Sequence, residues 1–416
     1  MTKKKIAYLQ FPGSNTENET KNILRKHGML PCGHFWNDST ETLNNYDGFI
    51  ILGGFSFEDR SRSGIIASLE PVVNELKNQA LLGKPILGIC NGAQILVESG
   101  LVPGNEEFET LASLTDNKRV VGNRIVGTGY FNKWCYIKPN ENTRSAFIKK
   151  GGKPMRVPIA HAEGRFLFNK DLEGEILKNN LIAYKYCDSE GNLSCDFPVN
   201  PNGSLHSAAA LSNLTGNVMA IMPHPERTLQ NEAGDIFESM KNYIDSNSQF
   251  SYRALKFESK KISLKKFNKS PKTEELLVST IITDNEAASV EKCINGLGVE
   301  AKVKKYLHFE IDCVVSLDIN SIISTDVLFN PSKEYVAKPK PESGVRRFLV
   351  RNKDDVVGQS LSQTLRDRFD LSGLKSIKKG VVWEIKINPS STKKDVDLIL
   401  NSHIFSNPIS QECHEY

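Results

Sequence analysis

Over the first 245 positions the apolar residues fall in short, nearly unbroken runs separated by amphipathic stretches. "KIAYLQF" (5–11), "YDGFIILGG" (46–54), "PILGIC" (85–90) and "NVMAIMP" (217–223) are dense in Ile, Leu and Val. Runs without alternation are those of strands covered on both faces. Helical patterns lie between them, from about Asn15 to His27, from Gly64 to Leu82, and after Cys90. Strand–helix alternation of this kind predicts an α/β architecture, a doubly wound and mostly parallel sheet, for residues 1–245.

From Asp245 the pattern changes. Residues 246–274 are rich in Lys and Arg with little periodicity, and read as a basic, solvated linker. Beyond it the chain repeats itself. "KKYLHFEID" (304–312) matches "KKGVVWEIK" (378–386), so that Leu307, Phe309 and Ile311 correspond to Val381, Trp383 and Ile385. Their alternation predicts a strand with one apolar face. An amphipathic helix precedes each strand, with the stripes Ala287, Val290, Ile294, Leu297 and Val357, Leu361, Leu365, Phe369. Asn285 and either Asp354 or Asp355 are the expected caps. Each copy ends in an Asn-Pro and a tyrosine, "LFNPSKEY" (328–335) and "FSNPISQECHEY" (405–416). Two small α+β units of β-α-β-β-α type are expected, at 275–336 and 345–416, pairing with each other or with another chain.

Composition narrows the class. The 416 residues are 25% charged and 39% hydrophobic with a formal charge of +4, which gives no ground for a nucleic-acid partner. No run is long enough to span a membrane, and the N-terminal apolar run is too short for a secretory signal. The 8 cysteines are scattered, without C-x-x-C or metal-ligand spacing, so neither a disulfide framework nor a metal is expected. A cytoplasmic protein with reduced thiols is the plain reading.

One of those thiols stands out. Gly88-x-Cys90-x-Gly92 lies between a strand and a helix, the cysteine form of a nucleophile elbow. There the helix N-terminus favours a thiolate, and the Asn91 backbone N–H can meet an oxyanion. A buried, packed thiol is the alternative. A nucleophile needs a base, and two H-x-E segments offer one: His224 with Glu226 in "MPHPERT", and His161 with Glu163 in "IAHAEGR". His224 follows a strand, as Cys90 does, whereas His161 reads as lying in a Pro- and Gly-rich loop. Both stay open on the chain alone. Gly53-Gly54, closing a third strand, can bring backbone N–H groups to the thiol, and the spacing for a phosphate-binding loop is missing.

Taken together, "LQFPGSN" (9–15), "GGFSFEDRSRSGIIA" (53–67), "GICNGAQIL" (88–96), "GLVPG" (100–104), "PIAHAEGRF" (158–166), "NPNGS" (200–204) and "MPHPER" (222–227) resemble the class I glutamine amidotransferases, with their flavodoxin-like fold. They are most similar to the PurQ family, the glutaminase subunits of phosphoribosylformylglycinamidine synthase in purine biosynthesis. The resemblance implies that Cys90 is the nucleophile, His224 the base and Glu226 its orienting acid. It implies an oxyanion site at Gly54 and Asn91, and it makes Gln94 a candidate substrate contact, with an exposed structural glutamine as the alternative. Glu58 stands where the family carries glycine, Ala93 where Phe is common, and Ala162 where "HGEGRF" has glycine. The C-terminal copies resemble the small PurS subunit of the same synthase.

The implied reaction is hydrolysis of L-glutamine through a cysteine thioester, with ammonia passed to a separate large synthetase subunit. That partner would hold the ATP and Mg²⁺, and this chain needs no cofactor of its own. Two rivals share the pattern: a free-standing hydrolase of the same fold, and a scaffold whose site has decayed.

Overall fold

The computed structural model describes residues 3–122, 124–228, 232–246, 250–257, 264–314, 317–388 and 393–416. It divides into two compact units, 1–260 and 261–416, each taken by itself below.

The first unit opens with β1 (Lys5–Gln10), α1 (Glu17–Lys26), β2 (Leu30–Phe35), β3 (Gly48–Ile51), α2 (Ile65–Ser68), α3 (Pro71–Leu81), β4 (Ile86–Ile89) and α4 (Asn91–Glu98). The single helix expected from Gly64 to Leu82 is two, because Glu70 is extended ahead of Pro71, as residues before proline tend to be. Then come β5 (Ala112–Asp116), the hairpin β6 (Lys118–Val121) and β7 (Arg124–Thr128), β8 (Phe131–Pro139), β9 (Met155–His161) and β10 (Glu163–Phe168). α5 (Lys170–Lys178), β11 (Ile182–Cys187), β12 (Ala208–Ser212), β13 (Val218–Ile221) and α6 (Gly234–Asp245) complete it.

Nine strands form one sheet in the order β2-β1-β3-β4-β13-β12-β11-β8-β9. The half from β2 to β13 is parallel and the rest antiparallel. β3, β4 and β13 are fully buried, which is why their sequences are unbroken apolar runs. Being parallel neighbours, they present their carboxyl ends side by side, where open α/β sheets bind ligands.

The expected linker needs correction at its start. Arg253 donates its N–H to Thr215 Oγ1 (2.9 Å), the Leu255 N–H donates to Gly104 O (2.9 Å), and Leu255 is buried in the core of the first unit. The apolar residues Tyr252, Leu255 and Phe257 hidden among the basic ones anchor this stretch. Its end is corrected too, since Lys265–Lys266 and Thr273 onward are strands.

The second unit comprises β14 (Lys265–Lys266), β15 (Thr273–Thr280), α7 (Asn285–Gly296), β16 (Ala301–Cys313), α8 (Ile319–Ile323), β17 (Glu334–Val336), β18 (Val345–Asn352), α9 (Val356–Phe369), β19 (Leu374–Ile387), α10 (Lys393–Asn401) and β20 (Gln411–Glu415). Each copy is therefore β-α-β-α-β and not the expected β-α-β-β-α. "AKVKKYLHFEIDC" holds no Gly or Pro at which a hairpin would turn, so it runs as one long strand.

The helix caps are Asp284 and Asp355, whose carboxylates accept from Ala287 N–H and Gly358 N–H; Asn285 lies one residue inside. The second stripe is also shifted. Val356, Gly358, Ser362 and Leu365 are buried and Phe369 is exposed, because Ser362 approaches β19 closely enough to accept from the Ile377 N–H (2.8 Å).

The seven strands form one sheet, β14-β20-β18-β19-β16-β15-β17, in which the two copies pair through β16 and β19. Leu307 lies directly opposite Val381, the residue that the repeat makes its equivalent. An antiparallel register that puts a residue opposite its own counterpart is that of a pseudo-two-fold axis. The Asn-Pro turns agree: Asn330 O accepts from Glu334 N–H (2.8 Å), and Asn407 O from Gln411 N–H (2.9 Å).

Candidate active site

Cys90 sits between β4 and α4 with φ at +52°, the strained turn expected of an elbow. Its neighbours must be small. A Cβ on Gly88 would strike the Gly92 carbonyl, and one on Gly92 would strike Ile51 in β3. The Cys90 N–H donates to Ile221 O (2.8 Å), tying the elbow to the end of β13. Two residues beyond Met222, His224 is held by its N–H on Pro158 O (2.9 Å).

Pro225 opens a tight turn that folds Glu226 back, so that His224 Nδ1–H donates to Glu226 Oε1 at 2.7 Å, with both side chains buried. The other side of the imidazole meets the Cys90 thiol. Burial works against the imidazolium, but the Glu226 carboxylate and the Cys90 sulfur outweigh it and raise the His224 pKa to about 10. Gly53 makes room for this ring, since a Cβ there would come within 2.9 Å of it. Thus three neighbouring strand ends bring together Gly53-Gly54, Cys90 and the His224–Glu226 pair.

The Gly53–Asp59 loop keeps its course despite Glu58. Phe57, Glu58 and Asp59 have φ of +51°, +60° and +53°, three successive left-handed residues without a glycine among them. Such residues cost about 1 kcal/mol or more each, so the surroundings must hold them. Ser56 N–H donates to Asn91 Oδ1 (3.0 Å), Phe57 N–H to Pro12 O (2.8 Å), and Asn91 Nδ2 to Asp59 Oδ1 (3.3 Å). Glu58 itself projects outward to Arg60 (2.9 Å).

Gln94 is buried rather than on an exposed face. Its Oε1 accepts from Asn91 Nδ2 (2.9 Å) and its Nε2 donates to Glu163 O (2.7 Å), which latches α4 to the β9–β10 connection. The Ala93 side chain is packed in the core beneath.

The second H-x-E segment is also at the site, but not as a dyad. β9 and β10 belong to different sheets, so the chain turns at Ala162 and parts the two residues. Glu163 accepts from Ser63 N–H (3.4 Å). Burial first, then Asp116 and Asp59, raise its pKa to about 8; burial raises Asp59 to about 6. His161 goes to Asn117 instead, Nδ1 to Oδ1 at 3.2 Å. Burial and the charge of His224 lower the His161 pKa to about 3, so its ring is neutral. The Ala160 carbonyl lies 3.9 Å from Cys90 Sγ. Asn117, Asp59 and Ser63 were not singled out in the sequence, because nothing local marks residues that act across long chain separations. Among the described residues no group of three or more His, Cys, Asp and Glu side chains can hold a metal ion, no helix is long and apolar enough to cross a membrane, and the eight cysteines are free.

A cysteine elbow facing a buried His–Glu pair on this sheet defines the class I amidotransferase fold. Residues 3–257 match the CobB/CobQ-like glutamine amidotransferase domain, and the chain belongs to that family of glutamine amidotransferase enzymes. Among its relatives, the phosphoribosylformylglycinamidine synthase subunit PurQ of Methanothrix thermoacetophila is 38% identical over 259 residues, 58% of this chain and 98% of the relative. The PurQ subunit of Methanocaldococcus jannaschii is 36% identical over 245 residues, 58% of this chain and 97% of the relative. A structure described as PurLQS from Thermotoga maritima aligns with 28% identity and a TM-score of 0.45, covering 58% of this chain and 100% of its own. The N-terminal part is thus a PurQ-type glutamine amidotransferase domain.

Proposed function

We propose that the chain is the glutaminase component of phosphoribosylformylglycinamidine synthase, a cytoplasmic enzyme that cleaves L-glutamine and hands the ammonia to a separate ATP- and Mg²⁺-dependent synthetase subunit. The observation that carries this is the buried His224–Glu226 pair facing Cys90 at adjoining strand ends. Cys90 Sγ attacks the glutamine side-chain carbonyl carbon, and the oxyanion is met by N–H groups at Gly54 and Asn91. The C–N bond then breaks, its electron pair stays on nitrogen, and the His224 imidazolium supplies the proton that makes NH₃. Water, activated by the now neutral His224, hydrolyses the γ-glutamyl thioester. Gln94 reaches the substrate only by giving up its bond to Asn91 or to Glu163 O, and its exchange is part of binding.

The second unit acts in place of a PurS dimer and bridges to the synthetase. Its support is the repeat and the pseudo-two-fold pairing of β16 with β19. Glutamate and ammonia formation are to be measured with and without a large synthetase subunit, beside Cys90→Ala. Turnover that rises on docking and vanishes in Cys90→Ala is expected. Full turnover by the isolated chain would favour a free-standing hydrolase, and no turnover with the partner present would leave only a scaffold.

A further inference from the structure

His161 carries an atom that the reaction as written does not use. Asn117 Nδ2 donates to His161 O (2.7 Å) and to Gly129 O (3.0 Å), which fixes the amide so that Oδ1 faces His161 Nδ1 as an acceptor. Nδ1 therefore bears the proton, and Nε2 carries a lone pair. Nε2 is buried, on a residue only 3% exposed, and among the described residues it has no hydrogen-bond partner. A buried acceptor left open is costly unless a donor visits it. The place is the reaction centre. The ring is close enough to His224 to feel its charge, and the preceding carbonyl lies against Cys90 Sγ.

We propose that His161 Nε2 accepts a hydrogen bond from the nitrogen that leaves glutamine, so that nascent ammonia is held between His224 and His161. The proposal rests on the glutaminase reading above. The proton still comes from His224; His161 gives none and takes none. Its neutrality suits that task. A carboxylate in its place would favour ammonium and trap it, whereas an imidazolium would repel a group that is gaining a proton. An acceptor that resists protonation leaves the product as NH₃. Water entering for thioester hydrolysis is a donor of the same kind, and the two are separable by the step affected.

The test uses the chain complexed with its synthetase subunit in single turnovers. Wild type producing no glutamate would remove the glutaminase reading itself. Given wild-type turnover, His161→Phe should slow thioester formation about threefold to tenfold, the worth of one neutral hydrogen bond. His161→Gln, which keeps an acceptor, should recover part of that loss. Unchanged thioester formation overturns the proposal. So does normal formation with an accumulating thioester, which would assign Nε2 to the incoming water. Labelling of Cys90 by a glutamine-analogue chloroketone checks that the variants fold. Should His161→Phe not fold, ring ¹⁵N resonances of His161 in the Cys90→Ala chain decide. Glutamine should move the Nε2 signal as its lone pair gains a donor, and an unmoved signal overturns the proposal.

Discussion

The two H-x-E segments start from the same residues and end as different devices. At His224 a proline at the intervening position turns the chain within one residue, and the carboxylate lands on the ring at 2.7 Å. At His161 the intervening Ala162 is the point where the chain leaves one sheet for another, and the carboxylate goes to Ser63. One imidazole is consequently held charged and the other neutral. The pattern supplies the atoms; the backbone between them decides whether they meet.

The sharpest way to break this comparison is to neutralise both glutamates in turn. Glu226→Gln should lower glutamine-dependent kcat by about a hundredfold or more, as loss of the orienting acid does in triads. Glu163→Gln should cost less than about tenfold in the same assay, because its carboxyl does not orient a histidine. Equal losses would erase the distinction.

Next in size is the residue that holds the neutral ring. Asn117→Ala strips the partners from His161, the Gly164 N–H and two carbonyls at once. It should destabilise the first unit by about 2–3 kcal/mol, read from its denaturant midpoint.

A smaller effect separates the glutamates by pH. Glu163 holds its proton in the fold up to about 8, whereas unfolded it ionises near the model value of 4.5. The stability it contributes is present below 4.5 and is lost as pH rises through 8. Between pH 5 and 8.5 the wild type should lose about 1 kcal/mol or more that Glu163→Gln retains, a gap of about 2–4 °C in Tm. His224 acts in the same direction at higher pH, but equally in both chains. Glu58→Gly, last in size, should add about 1 kcal/mol or less by relieving one left-handed residue, with Tm as the readout.

What was legible in the sequence follows from range. The buried strands announce themselves because every residue of β3, β4 and β13 is covered, and the elbow because Gly88 and Gly92 flank Cys90 at fixed spacing. His224 and Glu226 lie within one turn of each other. By contrast, the Asn117–His161 bond, the burial of Gln94 against Glu163 O and the anchoring of Leu255 on Gly104 each join residues far apart in the chain. The long strand β16 was missed for a different reason: its apolar alternation was clear, but a hairpin was expected where no turn residue stands.

The axis through Leu307 and Val381 changes what mutation can do. In a true dimer every substitution appears twice, and each half must fit its own image. Here the halves share one chain, so their pairing is independent of dilution and their sequences can drift apart. They have begun to. Glu310 accepts from Thr273 and pairs with Arg351, while its counterpart Glu384 pairs with Arg347 and Lys304. A surface that was obliged to be the same on both sides has become free to greet two different neighbours.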